Sequence, residues 1–167
     1  GARAIPKVEE VEGGSYRRTF LAPGGPAVLA VRRSTQRPEL ILTLAHAAPA
    51  GLFDLVRGVR RLFDLDADPL AIATCLKAGG LAVEPGLRVP GSWDTFETLV
   101  RAVLGQQVSV AAATTLCGRL VERFGVPFRS GQPGLTHLFP RPAALGRAEL
   151  SGIGLPRARA VGLRALC

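Results

Sequence analysis

Gly105-Gln106-Gln107-Val108 stands between two apolar stretches of helical spacing. Two adjacent primary amides add nothing to a core, because burial would leave their donors and acceptors unsatisfied. They do suit contact with base edges, whose donor and acceptor patterns amides match. The plain alternative is a helix hinge whose glutamines face solvent. A second candidate is Ser151-Gly152-Ile153-Gly154-Leu155-Pro156 with Arg157 behind it. An apolar-x-Gly-apolar-Gly turn before a helix can direct backbone N–H groups at a phosphate, with Arg157 and Arg159 adding charge. It can equally be a tight turn that starts a packing helix. Gly152, Gly154 and Arg157 are therefore candidate phosphate contacts.

Other chemistries have less support. Asp94 and Glu97 are spaced as a capping box, and Glu122 and Glu149 read as solvated helix charges. None of the four is nominated as catalytic. Cys75, Cys117 and Cys167 lie far apart without Cys-x-x-Cys spacing, and the two histidines, His46 and His137, make no ligand set by themselves. No metal or other cofactor is expected.

The elements that must position these residues divide the chain in two. Ser15–Leu21, Ala27–Arg33 and Glu39–Leu44 read as three strands, with a turn signal at Pro23-Gly24-Gly25-Pro26. From Gly51 to Leu65 the period changes, and Leu52, Val56, Val59 and Phe63 recur at helical spacing. Arg57, Arg60 and Arg61 take the other face. Asp68 and Pro69 start a short helix that ends at Gly79-Gly80. Residues 83–91 form a connector, so the expected domains are 1–82 and 92–167. Beyond it, Trp93, Phe96, Leu99, Val100, Val103 and Leu104 form the stripe of a long helix. Val110, Ala113, Cys117, Leu120 and Phe124 form the stripe of the next, capped by Ser109 and stopped by Gly125. Residues 126–140 read as loop, then a helix from Pro142 to about Leu150 and another through Leu166. The expectation is a small α+β domain followed by an all-helical one.

Composition sets the partner. The net charge is +8 over 167 residues, with +3 before Pro90 and +5 after it. The excess thus favours the helical half, and a basic surface suits nucleic acid. No uninterrupted apolar run approaches a membrane span and no signal pattern opens the chain, so a cytoplasmic monomer is expected. The absence of methionine suggests a segment of a longer protein.

The string Arg101-Ala102-Val103-Leu104-Gly105-Gln106-Gln107-Val108-Ser109-Val110-Ala111-Ala112-Ala113 closely resembles the bacterial DNA glycosylases that excise alkylated bases, the 3-methyladenine DNA glycosylase II type of the helix-hairpin-helix superfamily. Gly1-Ala2-Arg3-Ala4-Ile5 through Tyr16, and Arg60-Arg61-Leu62-Phe63-Asp64-Leu65, are similar to the same family's TATA-binding-protein-like N-terminal domain. The resemblance covers essentially the whole chain. It implies an antiparallel-sheet domain followed by an incomplete all-α glycosylase domain. It also implies base excision repair of double-stranded DNA containing alkylated bases, by nucleotide flipping and cleavage of the glycosidic bond. Gln107 then occupies the position of the wedge inserted into the base stack, with Gln106 and Val108 beside it. The family's catalytic aspartate follows a hairpin well downstream of the matched string, so the resemblance assigns no catalytic residue here and implies that this chain alone does not excise bases. Arg101 reads equally as a structural pair or a DNA contact. The competing reading from another class is a non-catalytic duplex-binding or damage-sensing module.

Overall fold

The computed structural model describes residues 3–46, 51–84 and 86–167. Gly1 and Ala2 of the N-terminal string and Pro85 of the connector lie outside the described residues. Packing divides the chain into one unit of Gly1–Ala50 with Leu99–Cys167 and another of Gly51–Thr98.

The first unit is built on an antiparallel sheet in the order β1 (Glu9–Glu12), β2 (Ser15–Ala22), β3 (Gly25–Arg33), β4 (Leu40–Ala45). The three predicted strands are present, and β1 adds a fourth. Its composition hides it, since glutamates disfavour strands. The register explains it: Glu9 faces Arg18 and Glu10 faces Arg17, so charge pairing across the strands offsets the poor propensity. Gly13 and Gly14 both have positive φ, which a two-residue hairpin loop requires. β3 is buried along Ala27, Val28 and Leu29 without alternation, as a strand covered on both faces must be.

A network of polar side chains is buried beside the sheet. Tyr16 Oη donates to Glu9 Oε1 at 2.6 Å, and Arg18 Nη1 donates to the same oxygen at 3.2 Å. The Arg18 and Glu9 side chains are only 3% and 7% exposed, so the charges compensate each other away from water. Burial pushes the Tyr16 hydroxyl well above the usual tyrosine range.

α4 (Val110–Phe124) and the residues that follow complete this unit. The stretch 126–140, expected to be loop, contains the short strands β5 (Val126–Pro127) and β6 (His137–Leu138). The backbone explains the difference. Thr136 and His137 donate their N–H groups to Lys7 O, and Thr19 Oγ1 donates to His137 O. Long-range partners therefore order a Gly- and Pro-rich segment that local propensity leaves open. They also join the N-terminal sheet to the C-terminal part within this unit. Gly125 does end α4, but with φ −69°, not in the left-handed region. A Cβ there would lie 2.5 Å from Val121 O and 2.7 Å from Leu138 O, so close backbone packing demands the glycine. α5 (Pro142–Gly146) is shorter than expected; a 3-10 turn at Ser151–Ile153 and α6 (Arg157–Ala165) follow.

The second unit contains α1 (Leu52–Leu62) and α2 (Pro69–Ala78). Asp68 caps α2 by accepting from Leu70 N and Ala71 N at 2.9 and 3.2 Å, with Pro69 in the first turn. Of the α1 stripe only Val59 is buried; Leu52 and Val56 are exposed. The Trp93 ring packs on Gly58, where a Cβ would stand 3.2 Å from it, so Trp93 belongs to this packing. Arg60 pairs with Asp66, and Arg61 donates towards Ser92 O.

Candidate nucleic-acid interface

The hinge forms between α3 (Thr95–Gly105) and α4. Asp94 Oδ1 accepts from Glu97 N at 2.8 Å and starts α3, while Glu97 itself is buried at 4% exposure, unlike a solvated cap. In the C-terminal half of α3, Val100 and Leu104 are fully buried, whereas Leu99 is exposed. A Cβ on Gly162 of α6 would stand 3.8 Å from Val103 Cγ1. On the other side, Ser109 Oγ accepts from Ala112 N at 3.2 Å, and Leu116, Cys117, Leu120 and Val121 anchor α4. The α4 stripe is shifted from the expected one, since Val110 is exposed.

Between these supports Gln106 and Gln107 are both exposed and Val108 is half-buried. Gln107 has φ 53°. A non-glycine residue in the left-handed region costs about 1–2 kcal/mol, and such strain gathers where a protein presents a side chain for a purpose. The two glutamines thus form one exposed feature between two anchored helices, with Val108 half-buried beside them.

Arg101 resolves to the structural alternative. Its Nη2 donates to Arg3 O at 2.7 Å, and its Nη1 lies 3.5 Å from Glu9 Oε2. It ties α3 to the buried network beside the sheet.

At the second candidate, Ile153 and Leu155 are buried while Gly152, Gly154 and Arg157 are exposed. Gly154 has φ 83°. Two residues missed by sequence reading approach this turn. Arg123 Nη1 stands 1.7 Å from the point a Cβ on Gly152 would occupy, and Arg119 Nη1 stands 3.1 Å from that point on Gly154. Their spacing of four on one helix was the available signal.

The carboxylates have other duties. Glu122 is paired with Lys7 Nζ at 2.7 Å, and that hydrogen bond holds its carboxyl below the usual range. Glu149 Oε1 accepts from Ser151 N at 3.3 Å; hydrogen bonding to the Ser151 side chain, then to that backbone N–H, holds its carboxyl below the usual range. Among the described residues, no three His, Cys, Asp or Glu side chains gather to hold a metal ion, and no helix is long and apolar enough to cross a membrane. An open cavity of about 680 Å³ lies over the 127–137 loop and is lined by none of the predicted site residues.

The fold of sheet and helices is shared with glycosylases of solved structure. The 3-methyladenine DNA-glycosylase from Archaeoglobus fulgidus superposes with a TM-score of 0.75 at 21% identity, over 97% of this chain and 58% of that one. An 8-oxoguanine glycosylase/lyase from Clostridium acetobutylicum, in complex with double-stranded DNA containing cytosine opposite 8-oxoG, gives 0.64 at 15% identity, over 95% and 53%. At these identities the likeness is one of fold. The model of the AlkA N-terminal domain matches residues 1–94, and the chain belongs to that family. Among curated proteins, the Mycobacterium tuberculosis "Probable bifunctional transcriptional activator/DNA repair enzyme AlkA" is 38% identical over 99% of this chain and 34% of its own length. DNA-3-methyladenine glycosylase 2 of Escherichia coli is 33% identical over 97% and 57%. The chain therefore spans about a third to little more than half the length of these relatives.

Proposed function

We propose that the chain is part of a cytoplasmic, monomeric base excision repair glycosylase that acts on double-stranded DNA containing alkylated bases. The 3-methyladenine type of lesion follows from the resemblance and from the names of the relatives. The observation that carries the reading is the hinge: two exposed amides on anchored helices, Gln107 held left-handed. In this reading Gln107 enters the space left by the flipped nucleotide and hydrogen-bonds the orphaned partner base. Gln106 and Val108 line the opened step.

An alkylated purine already carries positive charge that its departure relieves, so the reaction needs no metal. It needs an aromatic pocket and a carboxylate to stabilise the sugar cation or activate water. No described carboxylate here is assigned that role: Asp94 caps α3, Glu97 is buried, and Glu122 and Glu149 are engaged as above. The prediction is that the 167-residue chain binds duplex and bends it without releasing base. The domains 1–82 and 92–167 about the 83–91 connector remain part of this proposal.

The test is binding of abasic and intact duplexes across salt, together with base release from alkylated DNA. Preference for the abasic duplex and a steep salt dependence support the reading. A flat salt response contradicts DNA contact. Release of 3-methyladenine contradicts the statement that the chemistry lies outside these residues.

A further inference from the structure

Arg119 and Arg123 lie one helical turn apart near the end of α4, and both are exposed. Like charges at this spacing repel. Among the described residues neither guanidinium has a hydrogen-bond or ion-pair partner. Both reach over the Ser151–Gly154 turn. Arg123 Nη1 takes the place that a Cβ on Gly152 would occupy, so the guanidinium lies on bare backbone. Arg123 also sits 5.7 Å over the Phe124 ring, which helps keep it there. Beneath, buried Ile153 and Leu155 hold the turn in place. Glu149 is the neighbouring anion; it is engaged by Ser151 N and feels both Arg164 and Arg123.

We infer that Arg119 and Arg123, laid against the bare backbone of Gly152–Gly154, form a receptor for one phosphate of the duplex backbone, separate from the hinge. The inference rests on the DNA reading above and deepens it. Planar guanidinium forks match phosphate oxygens two at a time. The N–H groups of Ile153 and Gly154 are spent within the turn, on Leu150 O and Ser151 O, so the two guanidinium groups are the donors. The excess of basic over acidic residues after Pro90 favours a polyanion. A phosphate contact carries no sequence information and would set the register of the helical part on the duplex.

The test is duplex binding by fluorescence anisotropy as a function of salt, for the chain, R119Q/R123Q, R119K/R123K and the control pair R32Q/R33Q. Loss of one phosphate contact should reduce the log–log salt slope by about 0.9, an affinity loss of about eightfold at 0.1 M salt. R119K/R123K should keep the slope, because the charge is kept. An unchanged slope in R119Q/R123Q, with steep binding by the parent, overturns this inference and leaves the glycosylase reading standing. An equal loss in R32Q/R33Q also overturns it, since bulk charge would then suffice. Loss of poly-glutamate binding in R119Q/R123Q with duplex binding intact would replace the phosphate with an acidic polypeptide. Absence of duplex binding by the parent overturns the reading beneath it.

Discussion

Replacing Gln107 by glycine should make the protein more stable and poorer at its proposed task. Gln107 is exposed and has φ 53°, so its backbone bears a left-handed penalty of about 1–2 kcal/mol that glycine does not. Glycine loses about 0.5–1 kcal/mol through the greater freedom of the unfolded chain. The net gain is about 0.5–1 kcal/mol, or a rise in Tm of about 1–4 °C for a chain of this length. Gln107→Ala keeps the strain and should stay within about 0.5 kcal/mol of the parent. Both variants remove the amide. If it hydrogen-bonds an orphaned base, each should weaken abasic-duplex binding by about 0.5–1.5 kcal/mol, roughly twofold to tenfold, and intact-duplex binding far less. Thermal unfolding by circular dichroism reads the first effect, and anisotropy with the two duplexes reads the second. A fall in Tm for Gln107→Gly refutes the strain argument. Equal affinity losses on both duplexes refute the wedge.

Other outcomes follow from the packing. Glu9→Ala removes a buried carboxylate that pairs with the Arg18 guanidinium and accepts from Tyr16 Oη, and should cost about 3–5 kcal/mol, whereas Glu12→Ala, on a side chain 74% exposed, should change stability by less than about 0.5 kcal/mol. Similar urea midpoints for the two would contradict the buried network. Gly125→Ala drives a Cβ into two carbonyl oxygens and should cost about 1–3 kcal/mol. Gly105→Ala, whose Cβ meets only Ala113 at 4.0 Å, should instead gain up to about 1 kcal/mol, and the two Tm shifts should have opposite signs. Burial, then the nearby Lys7 charge, lowers the His137 pKa, while Glu122 opposes them. A proton thus binds the unfolded chain more tightly than the folded one. The resulting stability is present above about pH 6.5 and is lost as pH falls through the folded-state value. Melting from pH 7.5 to 5 should show this decline in the parent and a shallower one in His137→Gln; superimposable curves would count against it.

Local chemistry made several elements legible in the chain alone. Asp68 with Pro69, Ser109 before an apolar period, and the alternation around Ser15–Leu21 each act over a few residues, and each element stands where those signals put it. The Gln106-Gln107 hinge was legible for the same reason: adjacent amides between two apolar helices have no use in a core. Only the tertiary structure could decide what depends on partners distant in sequence. β1 exists because arginines on β2 face its glutamates, and the 126–140 segment is ordered because Lys7 and Thr19 bond to it from more than a hundred residues away. The left-handed Gln107, Arg101 reaching Arg3 and Glu9, and two arginines brought over the Gly152–Gly154 turn are likewise products of packing. Periodicity marks which face of a helix is apolar; it does not say what that face meets, because burial depends on elements the period does not encode.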